Sequence, residues 1–223
     1  MIKKSIWILL PLLSIGIFWF LYQAFGNDEV KMVQKISSMT HYEKNPSLKF
    51  PSSNLLENGD IIFRRGYGVD STISMNFSQG EKRYSHAGMI YKTDKGIFII
   101  HAEEDKEHGH NGVYIESIEE FLEGISIWAV YRFDLSKKLH QNMVNYALKL
   151  SKKNIIFDMD FNLLDDDKMY CSEFIYKVVN RSTSQELITA GKHFFGKNFV
   201  TIFDLYTNDM NKLVQSSHKM VVQ

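Results

Sequence analysis

The sequence predicts an α+β fold, an antiparallel sheet packed against helices, with one apolar segment ahead of it. Three observations predict it. Short apolar stretches with alternating polarity follow one another between residues 60 and 133, as consecutive strands do. Two later stretches, residues 138–152 and 171–180, carry apolar residues at helical spacing. Residues 5–25, SIWILLPLLSIGIFWFLYQAF, contain no charge at all.

The apolar segment comes first in the chain. Its 21 residues would rise roughly 30 Å as a helix, the thickness of a bilayer core. Trp7, Trp19 and Tyr22 lie toward its ends, where aromatic rings favour the membrane interface. Lys3 and Lys4 precede it, so residues 1–4 should stay in the cytoplasm and everything after Phe25 should lie outside. The reading is a retained single-pass signal-anchor in a bacterial cytoplasmic membrane. A cleaved signal peptide is the alternative, against which stands the lack of a small-residue cleavage site. Residues 26–54 are polar and mixed and read as a linker, and the globular domain spans 55–223.

Within that domain, ENGDIIF gives a turn and a strand at 60–63, and residues 70–77 read as a helix. Strands are expected at 84–91, 96–102, 112–115 and 125–133, with a short helical piece at 117–122. Residues 138–152 place Leu139, Met143, Val144, Ala147, Leu148 and Leu150 along one stripe, an amphipathic helix. A loop rich in Phe and Asp follows at 155–167, then a helix from Cys171 to about Asn180. A last helix is expected at 204–215.

Composition excludes some functions. Lys and Arg together number 26, as do Asp and Glu, so no net field draws the chain to nucleic acid or to an anionic surface. One cysteine permits no internal disulfide.

That cysteine carries the chemistry. Cys171 opens a helix in DDDKMYCSEFIYKVVNR, and it shares a helical face with Ile175, Val178 and Val179, which turns the sulfur toward the sheet. A helix N-terminus favours thiolate, although a free Cys is also common as a small buried core residue. Two histidines lie upstream on strands, in YSHAGMIY and GIFIIHAEE. Alternation places His86, Gly88 and Ile90 on one face, and His101 shares a face with Ile99 and Ile97. A hairpin turning about Thr93 and Asp94 brings His86 opposite His101, or diagonal to it if the register slips by two. A base, His86, oriented by a second polar side chain, His101, meets the logic of a triad. The HGH at His108 and His110 lacks a recognised ligand spacing and reads as a solvated loop. His41, His140, His193 and His218 carry nothing that separates them from surface residues.

With these pieces in order, the chain resembles the circularly permuted papain-like hydrolases of the NlpC/P60 superfamily, in particular the YiiX/YebB-like group. The matching segments are NGDIIF, YSHAGMIY, FIIHA, GVYIESIEEFL and YCSEFIYKV, with FDMDFNLLDDDKMYCSE leading into the last. The resemblance implies Cys171 as nucleophile, His86 as general base and acid, and His101 as the orienting third residue. Tyr170 would line the oxyanion region, beside the backbone N–H of Cys171. Many members of the group carry glutamate at the third position, whereas the similar lecithin:retinol acyltransferases carry histidine.

The function expected is a thiol hydrolase working through an acyl-thioester on an amide bond of a peptide or cell-wall component, without cofactor or metal. Cleavage or transfer of a lipid acyl chain is the alternative within the same chemistry. A non-catalytic envelope binding module is the alternative from another class.

Overall fold

The computed structural model describes residues 49–66, 83–105, 109–190, 192–194 and 197–218. The apolar stretch at 5–25, the helix expected at 70–77 and His108 lie outside these residues. Among the described residues no helix is long and apolar enough to cross a membrane.

Five strands form in chain order, as the alternation predicts: β1 (Ile61–Gly66), β2 (His86–Thr93), β3 (Gly96–Asp105), β4 (His110–Ser117) and β5 (Ile125–Phe133). Together with β10 (Asn211–Ser216) they make a six-stranded sheet in the order β10-β5-β1-β2-β3-β4. Its described pairings are all antiparallel. Between β4 and β5, Ser117 caps the one-turn helix α1 (Ile118–Phe121), and Glu120 returns the capping bond to the Ser117 N–H at 2.9 Å.

Alternation gives the sheet two apolar faces. Ile61, Phe63, Ala87, Met89, Ile100, Ala129 and Tyr131 point to one, where helices α2 (Lys137–Ser151) and α3 (Cys171–Thr183) cover them. Val144 and Ala147 from α2 and Ile175, Val178 and Val179 from α3 complete that core, so the apolar stripes read from the sequence are the buried ones. The opposite face gathers Ile62, Ile90, Ile99, Phe121, Trp128 and Val130 under α1 and Leu56. Two-sided burial explains why β2 and β3 read as nearly continuous apolar runs.

The chain after β5 departs from expectation at its end. Two small strands, β6 (Ile156–Phe157) and β7 (Lys168–Met169), bracket the Phe- and Asp-rich loop, and β8 (Lys192–Phe194) pairs with β9 (Lys197–Phe199). The helix expected at 204–215 is instead a single turn, α4 (Ile202–Tyr206), followed by strand β10. Asn208 breaks the helix, its carbonyl taking the Asn211 N–H in a tight turn. Residues 211–216 then pair with β5, whose outer edge would otherwise present a row of unbonded N–H and C=O groups. Local helical spacing lost to a sheet edge that needed a partner.

The last residues assigned to the linker are fastened to the domain. Lys49 C=O accepts from the Trp128 indole at 2.8 Å, and Ser52 exchanges two hydrogen bonds with Gln215, at 2.8 and 3.1 Å. Gly112 shows how tightly β4 packs on β6. At φ +114° it adopts a backbone that L side chains avoid, and a Cβ there would lie 1.8 Å from the Ile155 carbonyl oxygen.

Candidate active site

Helix α3 sets the sulfur. Tyr170, in extended backbone, precedes Cys171, and Glu173 reaches back to accept the Tyr170 N–H at 3.2 Å. This carboxylate caps the helix, a task the aspartates of the preceding loop do not take. Asp165 and Asp166 serve Lys177 instead: the ammonium donates to the Asp165 carbonyl and lies 2.9 Å from Asp166 and 2.7 Å from Glu173. Arg181 closes the group with a bidentate bond to Asp166, both arms at 2.8 Å. Lys177 is only 2 % exposed. Burial works against its charge and is outweighed by Glu173 and Asp166, so its pKa is held above the usual lysine range.

Cys171 is 8 % exposed, within the core between α3 and the sheet. Its sulfur accepts from the backbone N–H of Ala87 and of Ser172. The Ala87 amide is available because the pairing of β2 with β3 runs from Thr93↔Gly96 only as far as Met89↔Ile100. The thiol therefore meets the sheet at the residue next to His86. The helix start was expected to favour thiolate, but burial dominates. Desolvation, joined by the negative charge of Glu103, pushes the thiol up to about 12 against the pull of the two amides and Arg64. At rest the group is a neutral thiol.

The two histidines meet on the α1 side of the sheet. His86 Nε2 lies 2.8 Å from His101 Nδ1, with the rings nearly perpendicular. The β2–β3 register places Tyr91 opposite Phe98, two residues from the direct hairpin pairing, so the histidines are the diagonal neighbours that the slipped register predicts. Gly88 makes the approach possible: a Cβ there would come within 2.3 Å of Ile99 Cγ2 and 3.2 Å of His101 Cβ. Phe121 from α1 lies against both rings, at 5.7 Å from His86 and 5.2 Å from His101. His86 is held well below the usual histidine range, first by burial, then by the positive charge of Arg64 and by His101.

Three charged residues that the sequence did not assign to this site complete the cluster. Arg64 on β1 donates to both oxygens of Glu103 on β3, at 2.5 and 2.7 Å, and to the Phe121 carbonyl at 2.7 Å. Its guanidinium sits 4.5 Å from the Phe121 ring centroid. Glu116 on β4 brings Oε1 to 2.9 Å from His101 Nε2. The alternation that singled out His86 and His101 also selects these residues: Arg64 lies two positions beyond Ile62, Glu103 two beyond His101, and Ile99 pairs with Glu116.

Tyr170 is placed beside Cys171. Its phenol oxygen accepts the Val200 N–H at 3.0 Å, and Ser172 Oγ donates to the Val200 carbonyl at 2.9 Å, so α3 is stitched to the segment before α4. Phe161 packs on the Tyr170 ring at 5.1 Å. His140, read as unremarkable, proves to be buried, its Nε2 at 3.1 Å from the Phe133 carbonyl at the head of α2. His110 is exposed and stacks on Tyr114 at 4.2 Å.

His86, His101 and Glu103 offer ligand atoms that all lie within 4.8 Å of one another. As placed they do not suit a cation. A tetrahedral ion with bonds of about 2.0–2.1 Å holds its ligands roughly 3.3 Å apart, whereas the two nitrogens stand at hydrogen-bond distance. Both Glu103 oxygens are already taken by a guanidinium whose positive charge opposes a second cation.

Comparison with solved structures finds the crystal structure of the metalloprotein yiiX from Escherichia coli O157:H7. It is 18% identical, with a TM-score of 0.58 over 71% of this chain and 96% of that one. No curated protein matches the sequence. Residues 55–218, which hold the whole six-stranded sheet and the thiol helix, match the model of the permuted papain-like amidase enzymes, YaeF/YiiX, C92 family. The chain belongs to this family of permuted papain-like amidases.

Proposed function

We propose that the protein is a thiol amidase in which Cys171 is the nucleophile, His86 its general base and acid, and His101 the residue that orients His86. The observation that carries this reading is the seating of the sulfur on the Ala87 amide, beside a histidine whose Nε2 is committed to His101. That commitment leaves Nδ1 as the nitrogen of His86 that exchanges a proton with sulfur. The sulfur's proton moves to Nδ1 as the S–C bond forms, and the imidazolium returns it to the departing amine as the C–N bond breaks. Water then cleaves the thioester by the same route in reverse. Both groups are neutral beforehand, so the charge is created only when an acyl group is in place. Tyr170 fixes the helix start through Val200.

The substrate proposed is a peptide or cell-wall amide outside the cytoplasmic membrane, with residues 5–25 as the tether. The test is incubation of the full-length protein in detergent with peptidoglycan fragments and, separately, with phospholipid vesicles, followed by mass spectrometry. Release of amine from the fragments, lost in Cys171→Ala and His86→Ala, is expected. Release of fatty acid alone would move the substrate to lipids. Undiminished release by Cys171→Ala, or activity abolished by a chelator and restored by Zn2+, would overturn the thiol mechanism.

A further inference from the structure

We propose that Glu116 is a positioning residue of this site, fixing through His101 which nitrogen of His86 is free to act as base. The inference rests on the thiol amidase reading and adds a fourth member, so that Cys171, His86, His101 and Glu116 form one chain of proton donors and acceptors.

Two buried atoms make the case. His101 is fully buried, and its Nε2 has no hydrogen-bond partner among the described residues; the same holds for Glu116 Oε1. These two atoms are 2.9 Å apart. They stand at ion-pair distance, off the alignment of a hydrogen bond, and each is the other's nearest means of satisfaction. A small rotation of the carboxylate joins them, and buried polar atoms are almost always so joined.

Proton placement then follows from one end to the other. An ionised carboxylate only accepts, so His101 Nε2 must carry the hydrogen. In a neutral ring that leaves His101 Nδ1 as an acceptor. The atom facing it at 2.8 Å is His86 Nε2, which must therefore be the donor. His86 Nδ1 is then bare, the state a base requires. When Nδ1 takes the thiol proton, the positive charge on His86 is faced across the His101 ring by the Glu116 carboxylate. A neutral histidine as third residue would lack that charge, and Glu116 supplies it one ring further out.

Other charged groups border the pair. Arg64 from β1 and Glu103 from β3 neutralise one another through two hydrogen bonds. Glu103 Oε2 stands 3.9 Å from His86 Nε2 and 3.7 Å from His101 Nδ1, and Tyr114 on β4 donates to it at 3.4 Å. Of these, Glu116 alone addresses the far nitrogen of His101.

The test is Glu116→Gln in the full-length protein, with Glu116→Asp beside it. Gln can offer an N–H to His101, which reverses every donor along the chain and puts a hydrogen on His86 Nδ1. Histidine labelled with 15N reports the tautomers directly, with His86→Gln and His101→Gln spectra for assignment and with no need of substrate. Wild type should show both rings protonated at Nε2, and Glu116→Gln should show both protonated at Nδ1. Amine release from peptidoglycan fragments should fall by about 10²-fold or more, the lower end of what a positioned base contributes, with KM little changed and partial recovery in Glu116→Asp. Unmoved tautomers in Glu116→Gln would overturn the inference whatever the activity. So would unchanged turnover in a preparation where Cys171→Ala is dead. Turnover that survives Cys171→Ala refutes the thiol reading itself and leaves the tautomer result to stand on its own.

Discussion

Two polar clusters, one running from the buried Glu173 and Lys177 out to the exposed Asp166 and Arg181 and one buried at the sheet, are built on opposite plans. The helix cluster, Glu173, Lys177, Asp166 and Arg181, is built of ion pairs, with opposite charges 2.7 to 2.9 Å apart, although Glu173 Oε1 too makes no aligned hydrogen bond. The sheet cluster holds two imidazoles, a thiol whose proton burial retains, and a carboxylate whose nearest nitrogen lies off line. The first is settled electrostatically and fixes where α3 begins. In the second, burial disfavours charge on His86 and Cys171 beside the Arg64–Glu103 pair, the condition in which a proton still has somewhere to go. A structural cluster is finished before substrate arrives, and a reactive one is finished by it.

The largest effects should separate the two clusters cleanly. Cys171→Ala should abolish turnover while shifting unfolding free energy by no more than about 1 kcal/mol, read by amine release and urea denaturation of the same preparation. Lys177→Ala should do the reverse. It leaves the Glu173 carboxylate buried without its ammonium, a loss of about 3–5 kcal/mol, while turnover per folded molecule stays within a few-fold. A Lys177 variant of normal stability and no activity would erase the distinction.

Gly112→Ala tests the frame that both clusters share. It forces a Cβ into the Ile155 carbonyl at a positive φ, and a loss of more than about 3 kcal/mol is expected in the same denaturation measurement. Gly88→Ala is milder. Its clash falls on the Ile99 and His101 side chains, for about 1–3 kcal/mol, with an added drop in turnover because His101 is displaced.

Acidity gives the smallest and most diagnostic effect. Burial holds His86 below the ordinary histidine value of about 6.5, so kcat/KM should hold level through neutrality and fall only below the ordinary histidine range as the base is protonated. With the thiol at about 12, no second limb should appear below pH 10. Since Cys171 is the sole cysteine, alkylation by iodoacetamide followed by intact mass reads the sulfur directly. It should be slow near pH 6 and accelerate with rising pH. Rapid alkylation near pH 6 would mean a preformed thiolate, and the sheet cluster would then be as settled as the helix one. A sulfur inert at pH 6 is therefore no argument for a non-catalytic binding module.

Much of this was legible in the residues. Period-two alternation located β1 to β5 and put His86 and His101 on one face, and the 3.6-residue spacing found α2 and α3 with their buried stripes. Cys171 announced itself by being alone at a helix start. What escaped had two physical causes. Strand β10 carries no strong pattern of its own and is a strand because β5 has an edge to cover, a demand made by the sheet and invisible in residues 204–215. Arg64, Glu103 and Glu116 escaped because charged residues at strand ends usually face water. Their pattern was available: each continues the alternation that marked the histidines. Reversal of the thiol's expected acidity is a matter of burial, which no local spacing reports.

The paired hydrogen bonds of Ser52 with Gln215 join positions 163 apart in the chain. The polypeptide thus enters and leaves its folded body through a single doorway, and the body is close to a closed loop. Soldering that doorway with a short linker and opening the loop at another surface turn should leave sulfur and imidazoles where they are, while moving any leash to a different side of the molecule.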